Sequence, residues 1–185
     1  MSYLHEPPPV KLVTSFIYQD SAYRDEALQP LCHRWGVIDI QEMELPFHYT
    51  DYYRKEMGFP LYRAFVSFER LIPREQLVKA KLYSTQIEIT LAKAGGRRTI
   101  NIDPGYVTDS QLILATGKNY SHRIYLGEGI FGDLTLIYEH KKFKAQPWTY
   151  PDYQSEPMVR LLEMMRKKYI EDKKKYDIKT TAAEN

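Results

Sequence analysis

The chain has 185 residues, 43% of them hydrophobic, and a formal net charge of +2. That length is one domain with ample material for a core, and a charge so near neutrality argues against a nucleic-acid partner held by overall electrostatics. A single cysteine, Cys32, excludes an internal disulfide and a cysteine-based zinc site, and it fits a reducing, cytoplasmic setting.

In chain order, residues 1–9 close on Pro7-Pro8-Pro9, an extended lead-in that cannot be helical. The opening MSYLHEPPPV has no apolar stretch of the signal-peptide kind, and nowhere does an apolar run approach the roughly twenty residues that span a bilayer. A soluble, cytoplasmic protein without a membrane partner is therefore expected. Val10 to Tyr18 (VKLVTSFIY) is apolar on both faces and reads as a central strand. Asp20 and Ser21 offer caps for a helix near 24–35 whose stripe is Ala27, Leu28, Leu31, Cys32 and Trp35. Pro30 predicts a bend or a late start, and Gly36 a stop.

Val37 to Phe47 returns as a strand, with a change of parity between Ile40 and Met43 that suggests a bulge. HYTDYYRKEMGF then reads as a loop or a single helical turn closed by Gly58, and Leu61 to Leu71 as a third strand. Pro73 opens a helix near 74–93 with Leu77, Ala80, Ser84, Ile87 and Leu91 on its buried side. From Arg97 to Tyr138 four short runs alternate, divided by Asp103-Pro104-Gly105, Gly117-Lys118-Asn119 and Gly127-Glu128-Gly129, which reads as an antiparallel meander. EHKKFKAQPWTYPDYQ is an ordered wrap. A last helix carries Met158, Leu161, Leu162, Met165 and Tyr169 inward, with lysine and arginine in excess from Arg160 to Lys179.

The expected architecture is thus α+β: a ferredoxin-like βαββαβ core extended by an antiparallel meander, with helices on one face and a C-terminal helix closing the domain. Its boundaries are a lead-in at 1–9, a single domain at 10–175 and a disordered tail at 176–185.

No standard catalytic motif is present. Gly117-Lys118 resembles the end of a phosphate loop, but Leu112 stands where the earlier glycine is needed and Asn119 replaces the metal-binding hydroxyl. Nor is there a GxGxxG, HExxH or GxSxG, or a His/Cys set with metal spacing. Strand alternation does place Asn101, Asp103, Arg123, Tyr125, Asp133 and Thr135 on one sheet face. One reading makes this a solvated face with Arg123 paired to Asp103 or Asp133. The other makes it an anion site. Lys118, Arg123, Tyr125, Tyr106 and Asn101 would contact the ligand, with His122 as a further anion ligand able to move a proton and Asp103 as a base or a magnesium ligand if there is catalysis. Tyr52, Tyr53 and Glu56 from one aromatic segment and Trp148, Tyr150 and Asp152 from another would wall it.

The string INIDPGYVTDSQLILATGKNYSHRIYLGEGIFGDLTLIY, with TDYYRKEMGFPLYRAFVSFERLI before it and PWTYPDY after it, resembles the prokaryotic domain-of-unknown-function family 4416 from about Val10 to Tyr169. The resemblance implies no reaction and transfers no catalytic residue. Some members carry a GTP-binding label, whereas the P-loop and the NKxD motif are both absent here. The leading expectation is a small anionic or nucleotide-like ligand. The alternative is a non-enzymatic interaction protein that meets a protein or RNA partner through the aromatic loops and the basic last helix. No cofactor, metal or oligomeric state is legible.

Overall fold

The computed structural model describes residues 5–183, with side chains to Asp177. The elements are β1 (Val10–Tyr18), α1 (Ser21–Trp35), β2 (Ile38–Phe47), α2 (Arg54–Met57), β3 (Leu61–Ile72), α3 (Gln76–Leu91), β4 (Ile100–Val107), β5 (Gln111–Thr116), β6 (Arg123–Gly127), β7 (Ile130–Glu139), β8 (Lys142–Ala145) and α4 (Glu156–Ala183). One antiparallel sheet of eight strands runs in the order β2-β3-β1-β4-β5-β7-β6, with β8 also on β7. The first four of these strands have the βαββαβ order expected, and β1 is central with every residue buried.

The sheet's two faces have different covers, and the period of two along each strand decides which residues meet them. Even-numbered residues (Leu12 and Phe16 of β1, Ala64 and Phe68 of β3, Ile100 and Ile102 of β4) pack under α1 and α3, as the apolar stripes of those two helices require. α1 starts at Ser21 rather than late, because the Asp20 side chain accepts the Ala22 amide and caps it, and Pro30 lies inside the continuous helix. Odd-numbered residues (Val13, Phe65, Val107) face α4 on the opposite side, together with Leu112 and Leu136. The C-terminal helix therefore closes a second layer. It is tied to the sheet by the fully buried Lys11, whose ammonium lies 2.6 Å from Asp39 and 3.0 Å from Asp172, and by Tyr169, which donates to the Pro9 carbonyl at 3.1 Å. α4 continues to Ala183, beyond the boundary drawn at residue 175.

Three further details differ from the sequence reading. Asp103-Pro104-Gly105 is not a turn: β4 runs straight through it, and the turn falls at Thr108–Ser110, where the Thr108 hydroxyl accepts the amides of Ser110 and Gln111. Proline is tolerated because its edge of β4 faces away from β1, where no strand pairs until Gly105. The extension is antiparallel but not sequential, since β5 pairs with β7 and β6 lies outside it. Finally, β8 forms within the expected wrap, as a hairpin with β7 turned by the positive φ of His140 and Lys141. β2 does carry register irregularities, but they fall between Ile38 and Ile40 and between Glu42 and Leu45, on either side of the regular pairing from Ile40 to Glu42.

Candidate functional site

α4 covers only one end of its face of the sheet. At the other end Ile17, Arg63, Asn101 and Asp103 project from β1, β3 and β4 into a cavity of about 580 Å³. That volume lies within the roughly 300–1,000 Å³ of small-molecule sites. Two features of the chain make room for it.

The first is a seam in the sheet. β4 pairs with β1 along its whole length, but with β5 only from Gly105 to Val107. At that crossing the backbones are so close that a Cβ on Gly105 would sit 2.4 Å from the Ile113 carbonyl oxygen, which is why glycine stands there. On the other side of the crossing the two strands part, and Ile102 presents an N–H and a C=O to no strand. Side chains of α3 take their place: Lys81 donates to the Ile102 carbonyl at 2.9 Å, and the Glu88 carboxylate accepts the Ile102 amide. Unpaired buried backbone groups are costly, so this substitution lets the seam persist.

The second is the pair of aromatic segments. The loop at 49–53 brings Tyr49, Tyr52 and Tyr53 over the opening, and the segment at 148–153 brings Trp148, Tyr150, Asp152 and Tyr153. The latter is fixed by Thr149, which donates to the Thr135 carbonyl at 2.6 Å, and by the Trp148 indole, which donates to the Leu134 carbonyl at 2.9 Å.

Charge is arranged in layers. Deepest is the ion pair of Arg63 with Asp152 at 2.8 Å, and beside it Lys81 pairs with Asp103 at 2.9 Å. Arg63 lies within 5.0 Å of the Phe47 and Tyr153 ring centroids and donates to Ser15 at 3.0 Å, while its buried Nε has no hydrogen-bond partner among the described residues. Burial works against the charge on Asp103, yet Lys81 and the Asn101 amide, which donates at 2.6 Å, hold its carboxyl below the ordinary range. For Asp152 burial wins over Arg63 and raises the carboxyl. Burial likewise pushes Glu88 up to about 7, against the pull of Lys81 and the Ile102 amide, and Tyr153 up to about 12.

Nearer solvent, Arg98 pairs with Glu56 at 2.6 Å and donates to Asn101 at 3.2 Å. On the other wall Arg123, itself largely buried, pairs with Asp133 at 2.8 Å and stacks over Tyr120. Lys118 is held over the Tyr52 ring, 4.3 Å from its centroid, with no carboxylate at ion-pair distance among the described residues. Hydrogen bonding to Arg98 and then Lys118 lowers the Tyr52 phenol.

Of the expected site residues, Asn101, Asp103, Lys118, Arg123, Tyr52, Tyr53, Trp148, Tyr150 and Asp152 line this one cavity. Four do not. His122 stands behind Trp148, stacked at 4.9 Å between ring centroids and 3.3 Å from Asp133. Glu56 reaches the site only through Arg98. Tyr125 shares a face with Arg123 but lies one repeat further along β6, against Phe131 and 61% exposed. Tyr106 points to the other face, among Leu77, Ala115 and Ile130. Arg63, Lys81, Thr85, Glu88 and Arg98 line the cavity and were not anticipated. Lys81, Thr85 and Glu88 are spaced i, i+4, i+7, a polar stripe that helical periodicity alone would have exposed. No group of three or more His, Cys, Asp or Glu placed to hold a metal ion occurs among the described residues, and no helix among them is long and apolar enough to cross a membrane.

Among known proteins, the family model described as Domain of unknown function (DUF4416) matches residues 8–169. No curated protein and no solved structure matches the chain.

Proposed function

The chain belongs to the DUF4416 family, whose description names no activity, and from the cavity we propose that the protein binds a small anionic, nucleotide-like molecule there. The observation that carries this reading is Lys118. It is exposed at the rim, poised over Tyr52, and among the described residues has no carboxylate to neutralise it. Arg98 and Arg123 stand with it along the same lining, and Tyr52, Tyr120, Trp148 and Tyr150 offer flat faces for a ring. A phosphate or carboxylate at the rim with a planar group between the aromatics fits both the volume and the chemistry.

The competing reading, an interaction surface built of aromatic loops and a basic last helix, draws less support. Both aromatic segments turn toward one concave site rather than forming a flat patch. Several cations of α4 are also occupied within the chain: Lys168 pairs with Asp172, Arg160 with Glu156, and Arg166 lies over Tyr138 and donates to the Asp109 carbonyl at 2.6 Å.

A thermal-shift screen of nucleotides, sugar phosphates and dicarboxylates, run on the wild type and Lys118→Ala, tests the proposal. A ligand at a hundred times its Kd adds about 2.7 kcal/mol and so moves the melting temperature by several degrees. Lys118→Ala should leave the empty protein's melting point unchanged and cut affinity at least about tenfold. A screen silent in the wild type, or hits that Lys118→Ala does not weaken, would remove this reading.

A further inference from the structure

The cavity has two chemically different ends. Its outer end is cationic and aromatic, with Lys118 over Tyr52, and Arg98, beside the same ring, reaches inward to Asn101. Its inner end holds carboxylates, and they are not equally engaged. Asp103 spends one oxygen on Lys81 and the other on Asn101, and the Asp152 Oδ2, although without a hydrogen bond among the described residues, is neutralised by the Arg63 guanidinium 2.8 Å away. Glu88 uses one oxygen for the Ile102 amide, and its second has no hydrogen-bond partner among the described residues. The side chain nevertheless lines the cavity. The second Glu88 oxygen is thus left as an acceptor deeper in the cavity than the exposed Lys118 at its rim.

We propose that the ligand is two-ended: besides its anionic group it carries a nitrogen donor, an amine or the N–H edge of a heterocyclic base, which Glu88 accepts. This rests on the binding reading above and specifies the substrate class of the same site. Lys81 cannot serve in Glu88's place, because its ammonium only donates, here to Asp103 and the Ile102 carbonyl, and offers a ligand N–H no acceptor. The groups that face Glu88 are Lys81 from α3, Asp103 and the Ile102 amide from β4, and Arg98 from the segment that leads into β4. Burial is the largest influence on its carboxyl and lifts it to about 7, so in the empty cavity Glu88 exchanges its proton near neutrality. An amine or N–H donor needs the ionised form. Binding such a ligand therefore sends the Glu88 proton to solvent, and affinity falls as pH drops below neutrality.

Matched phosphate probes separate the two ends: ribose 5-phosphate against adenosine 5′-monophosphate, and glycerol 3-phosphate against phosphorylethanolamine. Calorimetry on the wild type should find the nitrogen-bearing member of at least one pair at least about tenfold tighter, the value of one charge-assisted contact. That advantage should shrink on going from pH 8 to pH 6 and should be lost in Glu88→Gln, which keeps an oxygen for the Ile102 amide. Lys118→Ala should weaken both members of the pair alike. Equal affinities within both pairs, or an advantage that persists at pH 6 or in Glu88→Gln, would overturn the two-ended ligand. If the phosphate-only probes still bind and still need Lys118, the anion site then stands alone. The pH arm uses the wild type and needs no variant to fold. If none of the four probes binds the wild type, the binding reading falls and this inference falls with it.

Discussion

Lys81 of α3 donates to the Ile102 carbonyl of β4 at 2.9 Å, in the place where a neighbouring strand would have donated its amide. The same ammonium holds Asp103, and seven residues on Glu88 accepts the Ile102 amide. A helix has thus taken over two rungs of a β-ladder, and the opening left by the missing strand is the cavity. The site exists because β4 and β5 separate, and α3 makes that separation tolerable.

Lys81→Met tests this directly. It strands the Asp103 carboxylate and leaves the Ile102 carbonyl without a donor. Loss of one partner of a buried pair costs about 3–5 kcal/mol, and the low end applies because the Asp103 side chain is 33% exposed. Adding Asp103→Asn should restore part of that loss by removing the unpaired charge. Urea unfolding of both single variants and the double variant measures the coupling, and additive losses would show the pair to be unimportant.

Gly105→Ala probes the crossing at which the seam begins. The added methyl meets the Ile113 carbonyl at 2.4 Å and the Leu114 side chain at 2.7 Å, so the two backbones must move apart. Overpacking of this kind costs about 1–3 kcal/mol or more. Chemical denaturation should register it, and a neutral substitution would mean that β5 does not cross so closely.

The pH dependence of stability has a defined sign. Glu88 titrates from the ordinary carboxyl value of 4.5 when unfolded and from about 7 when folded. Between those values the folded state holds the proton that the unfolded state has lost. This group's contribution to stability is therefore full below 4.5 and declines as pH rises toward 7. Asp103 acts in reverse, because its lowered value gives stability above its unfolded pKa that is lost on acidification. Glu88→Gln should flatten the stability profile between pH 4.5 and 7 while leaving the acid limb in place. An unchanged profile would mean that Glu88 is not buried against its charge.

At the far end of the face, Tyr169→Phe removes the hydrogen bond that joins α4 to the Pro9 carbonyl without opening a cavity. The expected cost is about 0.5–1.5 kcal/mol, against about 2–5 kcal/mol for Leu162→Ala in the apolar stripe of the same helix. Reversed magnitudes would show that hydrogen bonding, not burial, holds the helix down.

Strand parity was enough to bring Asn101, Asp103, Arg123, Asp133 and Thr135 to one face, since a period of two needs no tertiary information. Apolar stripes likewise put α1, α3 and α4 on their buried sides. What parity could not supply was the divergence of two strands, which depends on where Pro104 and Gly105 lie relative to Ile113 in space. Read locally, Asp103-Pro104-Gly105 is turn chemistry. Within the sheet it is a straight strand whose donor-free edge meets the seam. Arg63 escaped for a related reason: an arginine alternating with Leu61 and Phe65 gives no local sign that Asp152, far along the chain, will neutralise it.

The central claim is that the cavity beside the seam, and not the basic surface of α4, receives an anionic ligand. An amide-resolved NMR titration with adenosine 5′-monophosphate tests it most directly. The account predicts saturable shifts at Asn101, Thr116, Gly117, Lys118 and the Trp148 indole, with Lys118→Ala weakening all of them together. Shifts confined to the exposed Lys174 and Lys175 of α4, with the cavity resonances unmoved, would contradict it.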